Sequence, residues 1–201
     1  MTTFSPAQDP LILERYAVGT LERKLQNKIA LQEAWGWPKE PKRPMVCLPA
    51  GMSDDLGGEL FTELLEGILD MDVSLVVLGK GSSEFGATFT KLSKAHAHRV
   101  RIMKNEEAAL HQLLAAADMA LVLTDDQEET LEQCLAYGVV PITLPSLLVE
   151  DYNPVQETGN AFLFTEPTVW KAFGALVRAC ETYKFPFDWR TIQRHGMEET
   201  K

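Results

Sequence analysis

The segment from residue 117 to residue 141 constrains the fold of this chain more than any other part of its sequence. It contains a short apolar run, a polar turn, a segment of helical length and a second β-rich run that ends at Pro141. Leu131, Cys134 and Leu135 share one face of the helical segment. This order of strand, loop, helix and strand places a loop at the carboxyl end of a parallel strand, where α/β proteins bind ligands.

The same alternation extends on both sides of this segment. Short apolar runs alternate with segments of helical periodicity, and turn residues separate them. The predicted strands cover residues 45–48, 73–78, 100–103, 119–123, 139–144 and 161–164. Strands that alternate with helices of ten to fifteen residues predict an α/β fold, a Rossmann-like doubly wound parallel sheet.

Three helices have boundaries or faces that the sequence predicts in detail. Asn105 is the expected N-cap of a helix through residue 116, and residues 189–196 form a short final helix. A helix before the first strand is expected to turn its apolar side chains toward the core. These side chains are Leu21, Leu25, Ile29, Leu31 and Trp35.

The length and composition favour a single domain. A chain of 201 residues with 45% hydrophobic content can build one sizeable α/β core and hardly two. We expect residues 1–44 to form an N-terminal arm, a helix and a connector, and residues 45–201 to form the Rossmann-like domain.

The charge disfavours two classes of partner. A formal net charge of −10 disfavours nucleic acid and anionic membrane surfaces, because both require clustered Lys and Arg. No apolar run approaches the length of a membrane span, and the first residues do not resemble a signal peptide. Cys47, Cys134 and Cys180 lie far apart within apolar runs, which favours buried free thiols and a cytoplasmic location.

Six ordered stretches of the sequence carry a family resemblance. They are SPAQDPLILERY with LQNKIALQEAWGW, SLVVLGKGSSEFGATFTKLSKAHAHRVRI, EEAALHQLLAAADMALVL, AYGVVP, DYNPVQETGNAFLF and RACETYKFPFDWRTIQRHGM. On these stretches the chain resembles the C-terminal half of bacterial glycogen and starch synthases. These are retaining glucosyltransferases of GT-B architecture, with two Rossmann-like domains around a cleft.

The resemblance implies a ligand and a partner. In such enzymes the C-terminal half binds ADP-glucose or UDP-glucose, and the N-terminal half binds the growing glucan. The first residues match the region of the linker between the two halves. We therefore expect either a separate N-terminal glycosyltransferase domain as partner, or self-association through the former interdomain face.

The resemblance also implies the positions of site residues. The two acidic or amide positions of the family map onto Asp125 and Gln133, and a loop shortened by two residues leaves Gln127 or Glu132 as alternatives. The nucleotide-sugar cleft would involve Gly51, Gly79, Lys80, Gly81, Thr124, Asp125 and Ser146.

The expected phosphate-binding residues are absent from these positions. The family carries an Arg and a Lys in the loop after the first strand, but residues 46–58 contain no basic side chain. The family's Thr-Gly-Gly-Leu loop is replaced by residues 146–149, Ser-Leu-Leu-Val, directly after Pro145. A leaving diphosphate needs cations and backbone N–H groups, so no catalytic residue is assigned and the site is predicted to be degenerate.

The acidic turn at residues 125–132 admits two readings. Carboxylates can bind Mg²⁺ through oxygen ligands, but a solvated turn followed by an acidic first helical turn explains them as well. We favour the second reading and predict no metal site. Two functions stay open: a noncatalytic binding or interaction protein, and the nucleotide-sugar component of a glucosyltransferase.

Overall fold

A six-stranded parallel sheet forms the centre of the molecule. The computed structural model describes residues 4–199. The strand order is β3-β2-β1-β4-β5-β6, with every neighbouring pair parallel. The strands are β1 Met45–Leu48, β2 Ser74–Leu78, β3 Val100–Met103, β4 Met119–Val122, β5 Val140–Thr143 and β6 Phe162–Leu163. The predicted α/β, Rossmann-like fold is confirmed.

Helices cover both faces of this sheet. They are α1 Lys24–Ala34, α2 Gly58–Asp70, α3 Ser83–Ala95, α4 Glu107–Ala116, α5 Glu128–Ala136, α6 Val169–Tyr183 and α7 Pro186–Glu199. Every residue of β1, β2, β4 and β5 is buried, which is the pattern of strands covered on both faces. Side chains alternate along β1, so that Val46 and Leu48 enter one core while Met45 and Cys47 enter the other.

The apolar face predicted for the first helix is confirmed only in part: Leu21 is buried in the core that contains Met45 and Cys47, and Leu31 and Trp35 pack against it. The side chains buried along α1 are Lys24, Asn27, Lys28 and Gln32, whereas Leu25 is 37% exposed. Each buried polar group has a partner: the Asn27 amide donates to Glu14 O at 2.8 Å, and Gln32 Oε1 accepts from the Glu40 amide at 3.0 Å. Burial of polar side chains is tolerated here because their hydrogen bonds are satisfied.

Two other helix boundaries differ from the prediction. The N-cap of α4 is Glu106, not Asn105, and its side chain makes no capping hydrogen bond. The final helix starts at Pro186, because proline suits a first helical turn, and runs to Glu199 beyond the predicted end at Gly196. Its inward residues include Trp189 and Ile192, which belong to the core that also contains Val46 and Leu48.

The arm before α1 packs on the domain. Ile12, Tyr16 and Leu21 belong to the core that also contains Met45 and Cys47, and Tyr16 Oη donates to Tyr137 O at 2.8 Å. Within residues 4–199, no helix has the length and apolar character needed to cross a bilayer. All three cysteines are free and buried.

Candidate functional site

The strand order places a candidate site between β1 and β4. Neighbouring connections run in opposite directions on the two sides of this pair, so their loops diverge and leave a crevice at the carboxyl edge of the sheet. The loops that meet at this edge follow β1 (residues 49–57), β2 (79–82), β4 (123–127) and β5 (144–161). The predicted cleft residues lie on these loops, except for Gln133.

The loops after β1 and β2 are joined by their backbones. The Met52 amide donates to Lys80 O at 3.1 Å, and the Ser82 amide donates to Met52 O at 3.0 Å. A Cβ atom on Gly51 would lie 1.9 Å from Lys80 O, and one on Gly81 would lie 2.0 Å from Met52 O. Both glycines have positive φ, 79° and 112°. The structure thus brings Gly51, Lys80 and Gly81 together, and glycine is required there by the close backbone approach.

Lys80 is a free cation at this edge. Its side chain is exposed and has no ion-pair partner among residues 4–199. Together with Gly79 and Gly81 it lines a cavity of about 500 Å³ between the β2 loop and α3. Gly79 faces the neighbouring strand, because its amide donates to Met103 O at 2.7 Å.

The loop after β4 carries the predicted Thr124 and Asp125. Thr124 Oγ1 donates to Asp126 Oδ1 at 2.9 Å and accepts from Gln127 Nε2 at 2.7 Å. Asp125 is exposed to solvent. The loop is therefore organised by its own polar side chains and presents carboxylates outward.

The side-chain hydrogen bonds of Gln133 and Ser146 lie outside that loop. Gln133 lies in the second turn of α5, where its Nε2 donates to Glu129 Oε1 at 3.2 Å on the same helix. Ser146 Oγ accepts from the Leu148 amide at 3.2 Å and begins a local turn after β5. Of the two alternatives to Asp125 and Gln133, Gln127 contacts Thr124, whereas Glu132 is exposed on α5.

The loops at the carboxyl edge of the sheet carry mostly negative charge. The loops after β1, β4, β5 and β6 contain no Lys or Arg, since the chain has none from Pro44 to Gly79 or from Asn105 to Trp170. Their charged residues are Asp54, Asp55, Asp125, Asp126, Glu150, Asp151, Glu157 and Glu166. Only Lys80 and Lys104, after β2 and β3, supply cations from the described loops of this edge. No three His, Cys, Asp or Glu side chains within residues 4–199 are arranged to hold a metal ion.

Asp9, His111 and Tyr137 form a buried polar cluster that was not predicted from the sequence. His111 Nδ1 lies 2.8 Å from Asp9 Oδ2 and 3.0 Å from Tyr137 Oη, and Tyr137 Oη also donates to Asp9. Burial alone would raise the pKa of Asp9, but hydrogen bonds from Tyr137, the Leu11 amide and His111 lower it. Burial, and then the bond to Asp9, raise the pKa of Tyr137. No spacing rule joins residues so far apart in the chain.

A second unpredicted polar cluster lies at the amino edge of the sheet. Lys28 Nζ contacts Asp118 Oδ2 at 2.7 Å, and the same oxygen accepts from the Met45 amide at 2.8 Å. Lys24 Nζ donates to Leu114 O at 2.7 Å at the end of α4. These bonds join α1 to the sheet and to α4, so they explain the polar face of α1.

Comparison with known proteins identifies the relatives of this chain. No family model matches. Glycogen synthase of Geobacillus stearothermophilus is 30% identical over 201 residues, which cover 96% of this chain and 41% of the relative. Glycogen synthase of Clostridium perfringens is 29% identical, with 97% and 42% covered. The chain thus spans about two fifths of the length of these curated relatives.

Solved structures show the same fold. One is the catalytic domain of starch synthase IV from Arabidopsis thaliana, bound to ADP and acarbose, which superposes with a TM-score of 0.80 at 23% identity. The match covers 97% of this chain and 43% of the starch synthase chain. The C-terminal domain of a group 1 glycosyl transferase from Francisella tularensis superposes with a TM-score of 0.62 at 12% identity, with 87% and 91% covered. The chain is therefore a homologue of the C-terminal half of bacterial glycogen synthases, and it shares the fold of the starch synthase catalytic domain.

Proposed function

We propose that this glycogen-synthase-type glycosyltransferase domain lacks autonomous catalytic activity and acts as a binding or interaction protein. The observation that carries the proposal is the absence of Lys and Arg from the loops after β1, β4, β5 and β6. Transfer from a sugar nucleotide requires stabilisation of the negative charge that develops on the leaving diphosphate. These loops offer carboxylates instead.

The carboxylates oppose diphosphate binding. Asp54 and Asp55 follow β1, and Asp125 and Asp126 follow β4, on the two sides of the crevice. Two unit charges 4 Å apart at the protein surface repel each other by about 4 kcal/mol at an effective dielectric constant near 20. Lys80 supplies a single positive charge, which does not balance these four carboxylates.

Exposed apolar side chains on the same side favour a protein partner. Leu147 and Val155, in the long loop after β5, are 101% and 90% exposed, and Trp170 in the first turn of α6 is 80% exposed. All three lie on segments that follow the carboxyl ends of β5 and β6, and large exposed apolar side chains can form interaction surfaces. A separate N-terminal glycosyltransferase domain or a second copy of this chain is the proposed partner, and the cytoplasm the proposed location.

A second candidate function is the nucleotide-sugar component of an ADP-glucose or UDP-glucose glucosyltransferase. Lys80 favours it, because this exposed cation follows β2, directly beside the crevice, and has no ion-pair partner among the described residues. The Arabidopsis starch synthase, which shares the fold, was solved with ADP bound.

Titration of the purified chain separates the two candidates. ADP, UDP, ADP-glucose and UDP-glucose are added in turn and the heat of binding is measured. We expect no binding at millimolar ligand, for the wild type and for Lys80→Glu alike. Tight binding of ADP-glucose that Lys80→Glu weakens would overturn the noncatalytic proposal and establish the second candidate.

The proposed interaction face is tested by light scattering after size-exclusion chromatography. The wild type is compared with the double variant Leu147→Lys/Trp170→Lys, alone and mixed with an N-terminal half of a bacterial glycogen synthase. We expect association that the double variant abolishes. Lys171→Glu, an exposed change next to Trp170, is the matched control and should associate normally.

A further inference from the structure

A cavity of about 540 Å³ opens at the amino edge of the sheet, opposite the crevice described above. Its wall includes Lys42 in the connector before β1 and Asp118 directly before β4. The junction of α6 and α7 closes the other side, with Trp189 and Arg190. Its volume lies within the range of small-molecule sites, roughly 300–1,000 Å³.

The lining of this cavity is cationic in an acidic protein. Lys24, Lys28, Lys42, Lys184 and Arg190 line it, against the two carboxylates of Glu22 and Asp118. The whole chain carries a net charge of −10, so this concentration of positive charge is local. A small anion would be attracted to the cavity and repelled by most of the remaining surface.

Lys184 forms an ion pair with Glu181, and the other four basic side chains fall into two groups. Lys24 and Lys28 are buried and fully engaged with backbone oxygens, Asp118 and tyrosine hydroxyls, so they form the floor and make no direct contact with a ligand. Lys42 and Arg190 are exposed at the mouth and have no ion-pair partner within residues 4–199. They come from segments far apart in sequence, and the fold brings them to one opening.

An unpartnered donor lies in the same wall. Trp189 is 5% exposed, and its indole Nε1 is buried without a hydrogen-bond partner among the described residues. A buried N–H group without a partner costs about 1–3 kcal/mol, so an acceptor that reaches it gains the equivalent. Leu21, Leu25 and Pro186 add an apolar surface for the uncharged part of a ligand.

We propose that this cavity binds a small organic phosphate. A phosphomonoester carries nearly two negative charges at neutral pH and several acceptor oxygens. The Arg190 guanidinium offers a planar fork that suits phosphate, and Lys42 offers a second positive charge. The site lies at the opposite edge from the crevice, so it does not depend on whether a sugar nucleotide binds there.

The test uses ribose 5-phosphate, inorganic phosphate and ribose as probes of the full chain. Binding is followed by two-dimensional NMR through the indole N–H signal of Trp189, assigned by triple-resonance experiments. We expect a saturable shift with ribose 5-phosphate, weaker binding of inorganic phosphate and none of ribose. The double variant Lys42→Glu/Arg190→Glu should bind ribose 5-phosphate at least about tenfold more weakly, since two attractions become repulsions.

Two exposed lysines provide matched controls. Lys91→Glu, on the outer side of α3, should leave the affinity unchanged, and so should Lys80→Glu at the carboxyl edge. The proposal fails if millimolar ribose 5-phosphate does not shift the Trp189 signal, or if the double variant binds as tightly as the wild type. Loss of binding in Lys80→Glu would place the ligand in the crevice and would also overturn it.

Discussion

Gly51 is one of the two glycines on which the close approach of the β1 and β2 loops depends. Its φ of 79° and the 1.9 Å between an added Cβ and Lys80 O leave no room for a side chain. We expect Gly51→Ala to destabilise the protein by about 1–3 kcal/mol, because the loops must separate and the backbone is strained. Urea denaturation measures the change.

Gly86→Ala is the matched control for this prediction. Gly86 lies on α3, and no atom lies within 4 Å of an added Cβ. Alanine is the better helix former, so this variant should be unchanged or more stable by up to about 1 kcal/mol. Equal stability of Gly51→Ala and wild type would contradict the tight packing of the two loops.

Lys24 is predicted to make stability depend on pH. Burial lowers its pKa to about 7, partly offset by Asp118, Cys47 and Cys134, while Lys28 lowers it further. In the unfolded chain the pKa is about 10.4, so between these values the unfolded state binds more protons and the free energy of unfolding rises with pH. The cost of burying the charge is complete below pH 7 and is relieved above it.

The variant Lys24→Met isolates this effect. It lacks the titrating amine but keeps the other buried groups, whose contributions cancel in the difference between the two proteins. From pH 7 to about 9.5 the wild type should gain about 2–3 kcal/mol relative to Lys24→Met. Urea denaturation at a series of pH values measures the difference, and a constant difference would show that Lys24 keeps an ordinary pKa.

At the scale of elements, the sheet and the presence of α1 could be predicted from sequence, but the polar side chains that α1 buries could not. Strands such as β2 and β4 are continuous apolar runs between turn residues, and their burial on both faces is a local property of the sequence. The orientation of α1 depends on partners that lie far away in the chain, namely Asp118 and the carbonyl groups at the end of α4. An apolar-periodicity rule cannot include such partners, so it missed the buried polar side chains and placed Leu25 inward.

The N-terminal arm is held to the domain by its polar cluster. Tyr137→Phe removes the hydroxyl that donates to Asp9, and leaves a buried carboxylate with fewer hydrogen bonds. We expect a loss of about 1–3 kcal/mol and faster hydrogen exchange in residues 9–17, measured by mass spectrometry. Leu13→Ala, at a position of the arm that is 72% exposed, should change neither. Unchanged exchange in Tyr137→Phe would mean that apolar contacts alone hold the arm.

The candidate site was predictable in position but not in contacts. The carboxyl edge of the sheet follows from the strand order, and the predicted loops lie there. The backbone contact between Gly51 and Lys80, and the internal bonds of Thr124 with Asp126 and Gln127, are tertiary or loop-specific and left no pattern in the sequence. Whether the predicted cleft residues bind a sugar nucleotide remains a prediction.

At the scale of the molecule, charge is divided between the two edges of the sheet. The carboxyl edge is acidic apart from Lys80 and Lys104, whereas cations line the cavity at the amino edge. Such a division directs anions toward one end and away from the other. If charge is what prevents diphosphate binding in the crevice, then a change of charge there should restore it without a change of fold.

The double variant Ser53→Lys/Asp54→Asn tests this idea. Both residues lie in the loop between β1 and α2, before Gly57, and their side chains make no capping hydrogen bond, so the fold should be retained. The change adds two positive charges net beside the crevice, and we expect ADP binding to become measurable, with a strong dependence on salt. Calorimetry in low and high salt measures it. The control is Glu63→Gln/Glu66→Gln on the exposed side of α2, which also adds two positive charges net, but outside the crevice. If that control gains as much affinity as the loop variant, the effect is one of net charge, and the acidic crevice is not what excludes the diphosphate.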